Sequence, residues 1–380
     1  VLLKQYITIK EDQLFDIRTV EKSLEQIKTC SIVASVNTPG PLLLPDTLSS
    51  ADSSALVTIP FQIEDRSGLG FEGALGFESD QDNEPALRGS ATLSLLNMFH
   101  SAEALSFEYE GSDEMQLFDI ILSKPWLFNL PLNASVNFGM EIETDTYGYV
   151  YGNLKLLTTL GIYWQSGLGV SYTESSSKTD SVTAESSYLG FNFLLLRTNG
   201  TFTKGIRTSS LSLTVGSGIA KKEKNYSRSN VNFEIGTHIP LFRSQAIMAK
   251  LNTAHIITTE TSLLTVEKNR FGGNSTLRGY SENEFAFRTA LIGQSEIIHY
   301  YSETGALFIL FDGGIGFADD INIDNHNWTK LFGYGAGIRM PSRVGLITLE
   351  WARNYSDTKS LGRIHLQFQT ELSRLTEKFM

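Results

Sequence analysis

Leu105, Phe107 and Tyr109 alternate with Ser106, Glu108 and Glu110, and this two-residue period returns again and again from Leu69 onward. Leu211, Leu213 and Val215 face away from Ser210, Ser212 and Thr214, and Val231, Phe233 and Ile235 from Asn230, Asn232 and Glu234. Near the end, Phe332, Tyr334, Ala336, Ile338 and Met340 alternate with Gly333, Gly335, Gly337 and Arg339. Then Ile347, Leu349 and Trp351 alternate with Thr348 and Glu350, and Ile364, Leu366 and Phe368 with His365, Gln367 and Gln369. One face is apolar and the other polar or glycine, which is the signature of a β-strand with two different surroundings. A soluble sandwich gives the same alternation, so periodicity alone leaves the choice open. Strand length and number favour a membrane: about sixteen segments of about 9 to 14 residues fit tilted membrane-crossing strands, and an even count suits a closed barrel. They begin near Leu69, Leu87, Ser101, Glu114, Leu132, Tyr147, Ile162, Ser186, Ile206, Ser229, Gln245, Phe285, Ala306, Lys330, Gly345 and Gly362. The expected fold is all-β, an antiparallel transmembrane β-barrel.

The first 66 residues follow another rule. Ile17, Val20, Leu24 and Ile27 recur at helical spacing and predict a helix from Ile17 to Thr29. A strand is expected at Ser31 to Asn37, a loop rich in Pro, Ser and Asp from Thr38 to Ser54, and a half-buried strand at Val57 to Ile63 whose Pro60 belongs at an edge. Within the barrel, Ser175 to Ala184, Lys221 to Arg228, Thr258 to Glu284 and Asp319 to Trp328 read as polar loops. Trp126, Tyr147, Tyr149, Tyr151, Tyr163, Trp164, Tyr300, Tyr301, Trp351 and Tyr355 cluster at strand ends, as interfacial girdles do.

Composition removes several function classes. The net charge of −11 offers no basic patch, which argues against nucleic acid. No apolar run is long enough for a spanning helix. Cys30, the one cysteine, permits neither an intrachain disulfide nor a multi-cysteine metal site. The six histidines show no metal-ligand spacing, and neither a nucleophile elbow nor a phosphate-binding glycine loop occurs. No enzyme activity, cofactor or metal is therefore expected. Val1-Leu2-Leu3-Lys4 carries no basic leader or cleavage site, so an exported form is expected to begin upstream or to be processed.

The longest loop holds Phe271-Gly272-Gly273-Asn274-Ser275-Thr276-Leu277-Arg278-Gly279-Tyr280, and Phe311-Asp312-Gly313-Gly314 follows inside an alternating strand. An arginine withdrawn from water needs a carboxylate, and a glycine beside it lets the backbone turn or approach closely. This pair of segments resembles the Arg-Gly-Tyr/Phe loop and acidic strand of the outer-membrane protein assembly superfamily, the BamA/TamA-like barrels with POTRA modules. Ser123-Lys124-Pro125-Trp126 resembles the family's Pro-Trp turn, and residues 1–66 resemble the C-terminal part of a POTRA module. The resemblance implies two domains, the module fragment at 1–66 and the barrel at 67–380, with the chain truncated at its N-terminus. It also implies that the loop folds into the lumen, Arg278 pairing with Asp312, Gly279 allowing close approach, Tyr280 packing on the wall, and Glu296 as a weaker member of the network. The glycines at 333, 335 and 337 would leave room for such a loop. The family's barrels commonly end on an aromatic residue; here Leu372 is followed by an eight-residue tail, Ser373 to Met380.

The same resemblance implies an outer-membrane insertase or translocase. It would assemble or export other polypeptides through a lateral seam between the first strand, about Leu69 to Phe77, and the last, about Gly362 to Leu372. Gly70, Gly73 and Gly76 would weaken that seam opposite Ile364, Leu366 and Phe368. The implied partners are unfolded outer-membrane or secreted polypeptides, accessory lipoproteins or periplasmic subunits, and the lipid bilayer. The location implied is the bacterial outer membrane, with the POTRA end in the periplasm. A two-partner secretion transporter for one large exoprotein, and a passive porin, are the alternatives; a porin would show no fixed contact between Arg278 and Asp312.

Overall fold

A computed structural model describes residues 2–371 apart from 11–12, 29, 31, 39, 44–56, 67, 80–84, 112–114, 145, 162, 180–181, 200–203, 206, 261–262, 319–327, 343–344 and 357–361. Sixteen strands form one closed antiparallel barrel. In chain order they are β1 (Leu69–Ser79), β2 (Pro85–Leu96), β3 (Ala104–Gly111), β4 (Met115–Lys124), β5 (Leu132–Glu143), β6 (Tyr147–Leu160), β7 (Trp164–Thr179) and β8 (Val182–Asn199). There follow β9 (Thr208–Lys221), β10 (Asn225–Phe242), β11 (Gln245–Thr258), β12 (Thr289–Tyr300), β13 (Ala306–Phe317), β14 (Thr329–Pro341), β15 (Leu346–Asn354) and β16 (Arg363–Glu371). Each strand pairs with its neighbours in sequence, and β16 closes on β1.

The alternation sorts side chains as a barrel in lipid requires. On β13, Ala306, Phe308, Leu310 and Asp312 are buried inward, while Leu307, Ile309 and Phe311 are exposed outward. Phe138, Leu168, Phe191 and Ile219 are each more than half exposed on the outer wall. Apolar residues so placed would be costly in water and are at home in hydrocarbon. No helix among the described residues is long and apolar enough to cross a membrane.

Several expected boundaries move, and the shifts share a cause. Ser175 to Ala184 is a continuation of β7 and β8, paired out to Thr179↔Val182, and Lys221 to Arg228 holds only a tight turn between Lys221↔Asn225. Polar residues read as loop, yet antiparallel pairing continues beyond the apolar band because backbone hydrogen bonds do not depend on side-chain polarity. The expected segment starts at Glu114, Ile162 and Ile206, the loop at 319–327 and the residues from Leu372 onward lie outside the described residues. The expected girdle also divides. Tyr147, Tyr151 and Tyr300 turn inward and bond to Glu141, Asp119 and His238, whereas Trp164, Tyr301, Trp351 and Tyr355 are exposed.

At one rim sits a small α+β unit. Its helix, α1 (Ile17–Lys28), begins where the Asp16 side chain accepts the Arg18 amide at 3.0 Å, an N-cap. Val33–Asn37 pairs with Gln62–Asp65. The strand expected over Val57 to Ile63 is instead split into Val57–Thr58 and Gln62–Asp65, because Pro60 has no amide hydrogen to donate to a ladder. Ile27, Cys30, Val33 and Val36 form the core of the unit together with Ala102 from the β2–β3 turn. Tyr6 meets Trp126 edge-on at 5.5 Å, so the Pro-Trp turn between β4 and β5 helps dock the unit on the barrel.

Candidate functional site: a loop pinned inside the lumen

The connection between β11 and β12 enters the barrel from the rim opposite that unit. It is ordered by its own short ribbon, Asn269–Phe271 against Phe285–Phe287, and by a 3-10 turn at Thr265–Glu267. Phe271, Leu277, Tyr280 and Phe287 pack with Ala290 and Ile292 of β12 and Leu331 of β14. The loop thus carries an apolar core of its own against the inner wall.

Arg278 is 3% exposed and Asp312 1%. The guanidinium grips Asp312 with two parallel bonds, Nε to Oδ2 at 2.8 Å and Nη2 to Oδ1 at 2.7 Å, and the Arg278 backbone amide donates to the same Oδ2 at 2.9 Å. Nη1 reaches Glu296 at 2.6 Å. Bidentate, charge-assisted bonds of this kind fix geometry as well as energy. Burial by itself would weaken the basicity of Arg278. The hydrogen bonds and charge of Asp312, then the charges of Glu350 and Glu296, more than offset this and hold the guanidinium above the ordinary arginine range.

The network extends beyond the residues the sequence singled out. Glu350 of β15 lies 3.6 Å from Arg278, and its other oxygen is buried without a hydrogen-bond partner among the described residues. Arg339 of β14 bonds Glu296 at 2.7 Å and lies 4.2 Å above the Phe308 ring. Two guanidinium groups therefore meet three carboxylates. Glu350 and Arg339 occupy inward positions of alternating strands, a signal the sequence carries without saying which inward charges meet.

Gly279 and Tyr280 fix the backbone of the loop. Gly279 has φ +90°, and a Cβ there would meet the Arg353 carbonyl carbon at 2.6 Å and the Asn354 amide nitrogen at 2.8 Å. The loop therefore touches β15 backbone to backbone. Gly279→Val is expected to cost about 1–3 kcal/mol through the positive φ and the clash, read as a lower unfolding temperature of the detergent-solubilised barrel. Tyr280 is buried; its hydroxyl donates to the Phe332 carbonyl at 3.2 Å and accepts the Phe332 amide at 3.0 Å. Of the three glycines expected to make room, only Gly333 faces the loop, against the Arg278 carbonyl. Gly335 abuts the Trp351 carbonyl and Gly337 the Phe308 ring, so those two permit wall packing instead.

The far end of the loop is anchored to the opposite wall, which sequence reasoning did not foresee. Arg270 grips both oxygens of Glu141 on β5 and also meets the Tyr147 hydroxyl on β6. Glu267 accepts from Ser186 of β8 at 2.6 Å and from Tyr226 of β10 at 2.7 Å, and its backbone carbonyl accepts from Arg228 at 2.8 Å. The loop is a strap across the lumen, held on both sides. Arg270→Ala should leave the Arg278 anchor intact and raise single-channel conductance in a planar bilayer several-fold. Unchanged conductance would show that this anchor does not restrict the lumen.

The residues expected at the seam lie on β1 and β16, whose pairing is not short. It runs without a register shift from Ile364↔Phe77 to Glu371↔Gly70, as far as between β3 and β4 and farther than between β15 and β16. Gly70, Gly73 and Gly76 face Glu371, Phe368 and His365, and Leu366 faces Leu75. The glycines keep their ladder positions because pairing needs only backbone; what they remove is cross-strand side-chain contact, about 0.2–1 kcal/mol per pair. Arg363, the first residue of β16, donates to the Gly279 carbonyl at 2.6 Å and the Ser281 hydroxyl at 2.8 Å, so the strap also holds the strand that closes the barrel. No group of three or more metal-binding side chains is assembled among the described residues.

The chain is similar in structure to BamA from Haemophilus ducreyi lacking POTRA domains 1-3, with 12% identity, a TM-score of 0.62 and coverage of 97% of this chain and 81% of the other. It is also similar to CdiB from Acinetobacter baumannii, at 15% identity and TM-score 0.66 over 97% and 71% of the two chains. CdiB from Escherichia coli matches at 12% identity and TM-score 0.66 over 97% and 73%. No sequence-family model and no curated protein sequence matches it. The chain shares the barrel fold of these solved structures.

Proposed function

We propose that the protein is an outer-membrane insertase or translocase that handles unfolded polypeptides at the seam between β1 and β16. Residues 1–66, on this reading, are the end of a POTRA module facing the periplasm. The observation that carries it is the buried clamp of Arg278 on Asp312 and Glu296. A passive porin's constricting loop needs no such buried contact. The clamp keeps the lumen filled while the wall remains free to part at one edge. An opened seam exposes unpaired N–H and C=O groups, to which a client strand can add by β-augmentation. In hydrocarbon each unpaired group costs several kcal/mol, so exchange towards paired states needs neither nucleotide nor cofactor.

The test is reconstitution. In phospholipid vesicles the protein is expected to accelerate the folding of a urea-unfolded outer-membrane barrel, read as heat-modifiable, protease-protected client. No acceleration together with steady ion conductance would support the porin reading. Activity confined to one dedicated exoprotein would support two-partner secretion.

A further inference from the structure

On the outer wall a trough of about 1000 Å³ crosses the strands from β9 to β14. Two rows of outward positions, joined by the strand register, make its floor. Ser209, Thr237, Ala249 and Ser295 stand opposite one another in one row, and Gly293 faces Gly313 in the next. Ile235, Leu251, Phe311 and Phe332 line the sides. Small groups therefore replace the bulky ones that cover this face elsewhere. Ser209 lies beside the start of β9, at the rim near residues 2–66, whereas Phe332 is close to the opposite end of β14. Barrel strands are tilted, so a row running across them climbs the wall. Five inter-strand steps of about 4.8 Å give the furrow a length of about 24 Å, enough for an extended fatty-acyl chain.

The lower end of the furrow is cationic. Arg197 donates to the Ser209 hydroxyl at 2.7 Å and lies 5.7 Å over the exposed Trp164 ring. Arg207 is exposed and has no hydrogen-bond or ion-pair partner among the described residues. The nearby Lys204 is already matched, by Glu303 at 3.3 Å. Asp312 is the one carboxylate lining the trough, and both its oxygens are turned inward onto Arg278. Two arginines and an interfacial tryptophan thus stand at the rim with no anion bonded to them among the described residues. The neighbouring Thr198 and Tyr163 border the same cavity as Tyr6 and Arg66, which places this end level with the α+β unit.

We propose that the trough binds one anionic phospholipid of the leaflet on that side, its phosphodiester held between Arg197 and Arg207 and an acyl chain lying over Ala249, Ser295, Gly293 and Gly313. Arginine suits the phosphate because its planar donors can bond two oxygens at once and it is weakly hydrated. Tryptophan beside it sits where the headgroup meets the chains. The inference rests on the bilayer placement proposed above. The site makes no use of the lumen loop and would persist whichever polypeptide the barrel serves.

Native mass spectrometry of the full chain, released from mixed phosphatidylglycerol and phosphatidylcholine bilayers, reads the site directly. The expected result is one retained phosphatidylglycerol in preference to phosphatidylcholine. Arg197→Ala with Arg207→Ala should lower that retention about tenfold or more. Ala249→Leu with Ser295→Leu, which fills the furrow and leaves the arginines, should also lower retention while the barrel stays heat-modifiable. Equal retention of the two lipids, or variants that hold phosphatidylglycerol as the parent does, would overturn the site. A chain that does not enter bilayers at all would instead overturn the membrane reading.

Discussion

Arg278→Ala is expected to be the most damaging single substitution in the chain. It strips Asp312, Glu296 and Glu350 of their shared cation and leaves three carboxylates close together inside the barrel. Removing one partner of a buried ion pair costs about 3–5 kcal/mol, and here the Arg339 guanidinium that remains is bonded to Glu296. Unfolding temperature and heat-modifiable mobility of the purified barrel measure the loss, and client folding in vesicles should fall with it. Asp312→Asn keeps the shape of the acceptor and removes one negative charge, so its effect should be smaller. If Arg278→Ala unfolds like the parent and folds clients at the parent rate, the clamp has no part in either stability or function.

The same geometry decides what a charge swap can achieve. Arg278→Glu combined with Asp312→Arg would restore the pair on paper. In the structure the carboxylate introduced in place of the guanidinium would face Glu296 and Glu350 as well, and like charges at these distances repel strongly in a poorly solvated site. Recovery by the double swap should therefore be slight. Adding Glu296→Gln and Glu350→Gln to the swap should improve it.

Much of this was legible in the chain because barrel walls are built from local rules. Alternation at Leu105, Phe107 and Tyr109 or at Ile364, Leu366 and Phe368 needs only a lipid face and a lumen face. Arg278 and Gly279 were legible for a different reason: their loop resembles the Arg-Gly-Tyr/Phe segment of a known barrel family, and that resemblance implied the contact with Asp312, which residue chemistry alone did not. The Arg270 and Glu267 anchors were not. Glu141, Ser186 and Tyr226 lie on strands far away in sequence, and an inward polar residue looks the same whether it meets water or a loop. Glu350 and Arg339 were hidden in the same way among inward polar positions. Strand ends were least legible, since past the apolar band at Thr179↔Val182 the ladder continues with no hydrophobic signal to mark it.

Locking the seam should abolish client handling without unfolding the barrel. Leu75 of β1 and Leu366 of β16 are direct cross-strand partners, both exposed on the outer wall. Facing residues in antiparallel strands have Cα atoms about 4.5–5.5 Å apart, within the range a disulfide spans. Leu75→Cys with Leu366→Cys, made in a Cys30→Ser background so that no other thiol competes, should close on oxidation without moving the backbone. The oxidised protein is expected to remain heat-modifiable, to keep the parent conductance and to fold no client above the rate of empty vesicles. Reduction should restore activity. The lock separates two routes for a polypeptide: insertion through the wall needs β1 and β16 to part, whereas export along the lumen needs the strap to move and leaves the seam shut. An oxidised barrel that still folds clients at full rate would sink the lateral seam. Pairing the lock with Arg270→Ala then asks whether freeing the strap opens the second route.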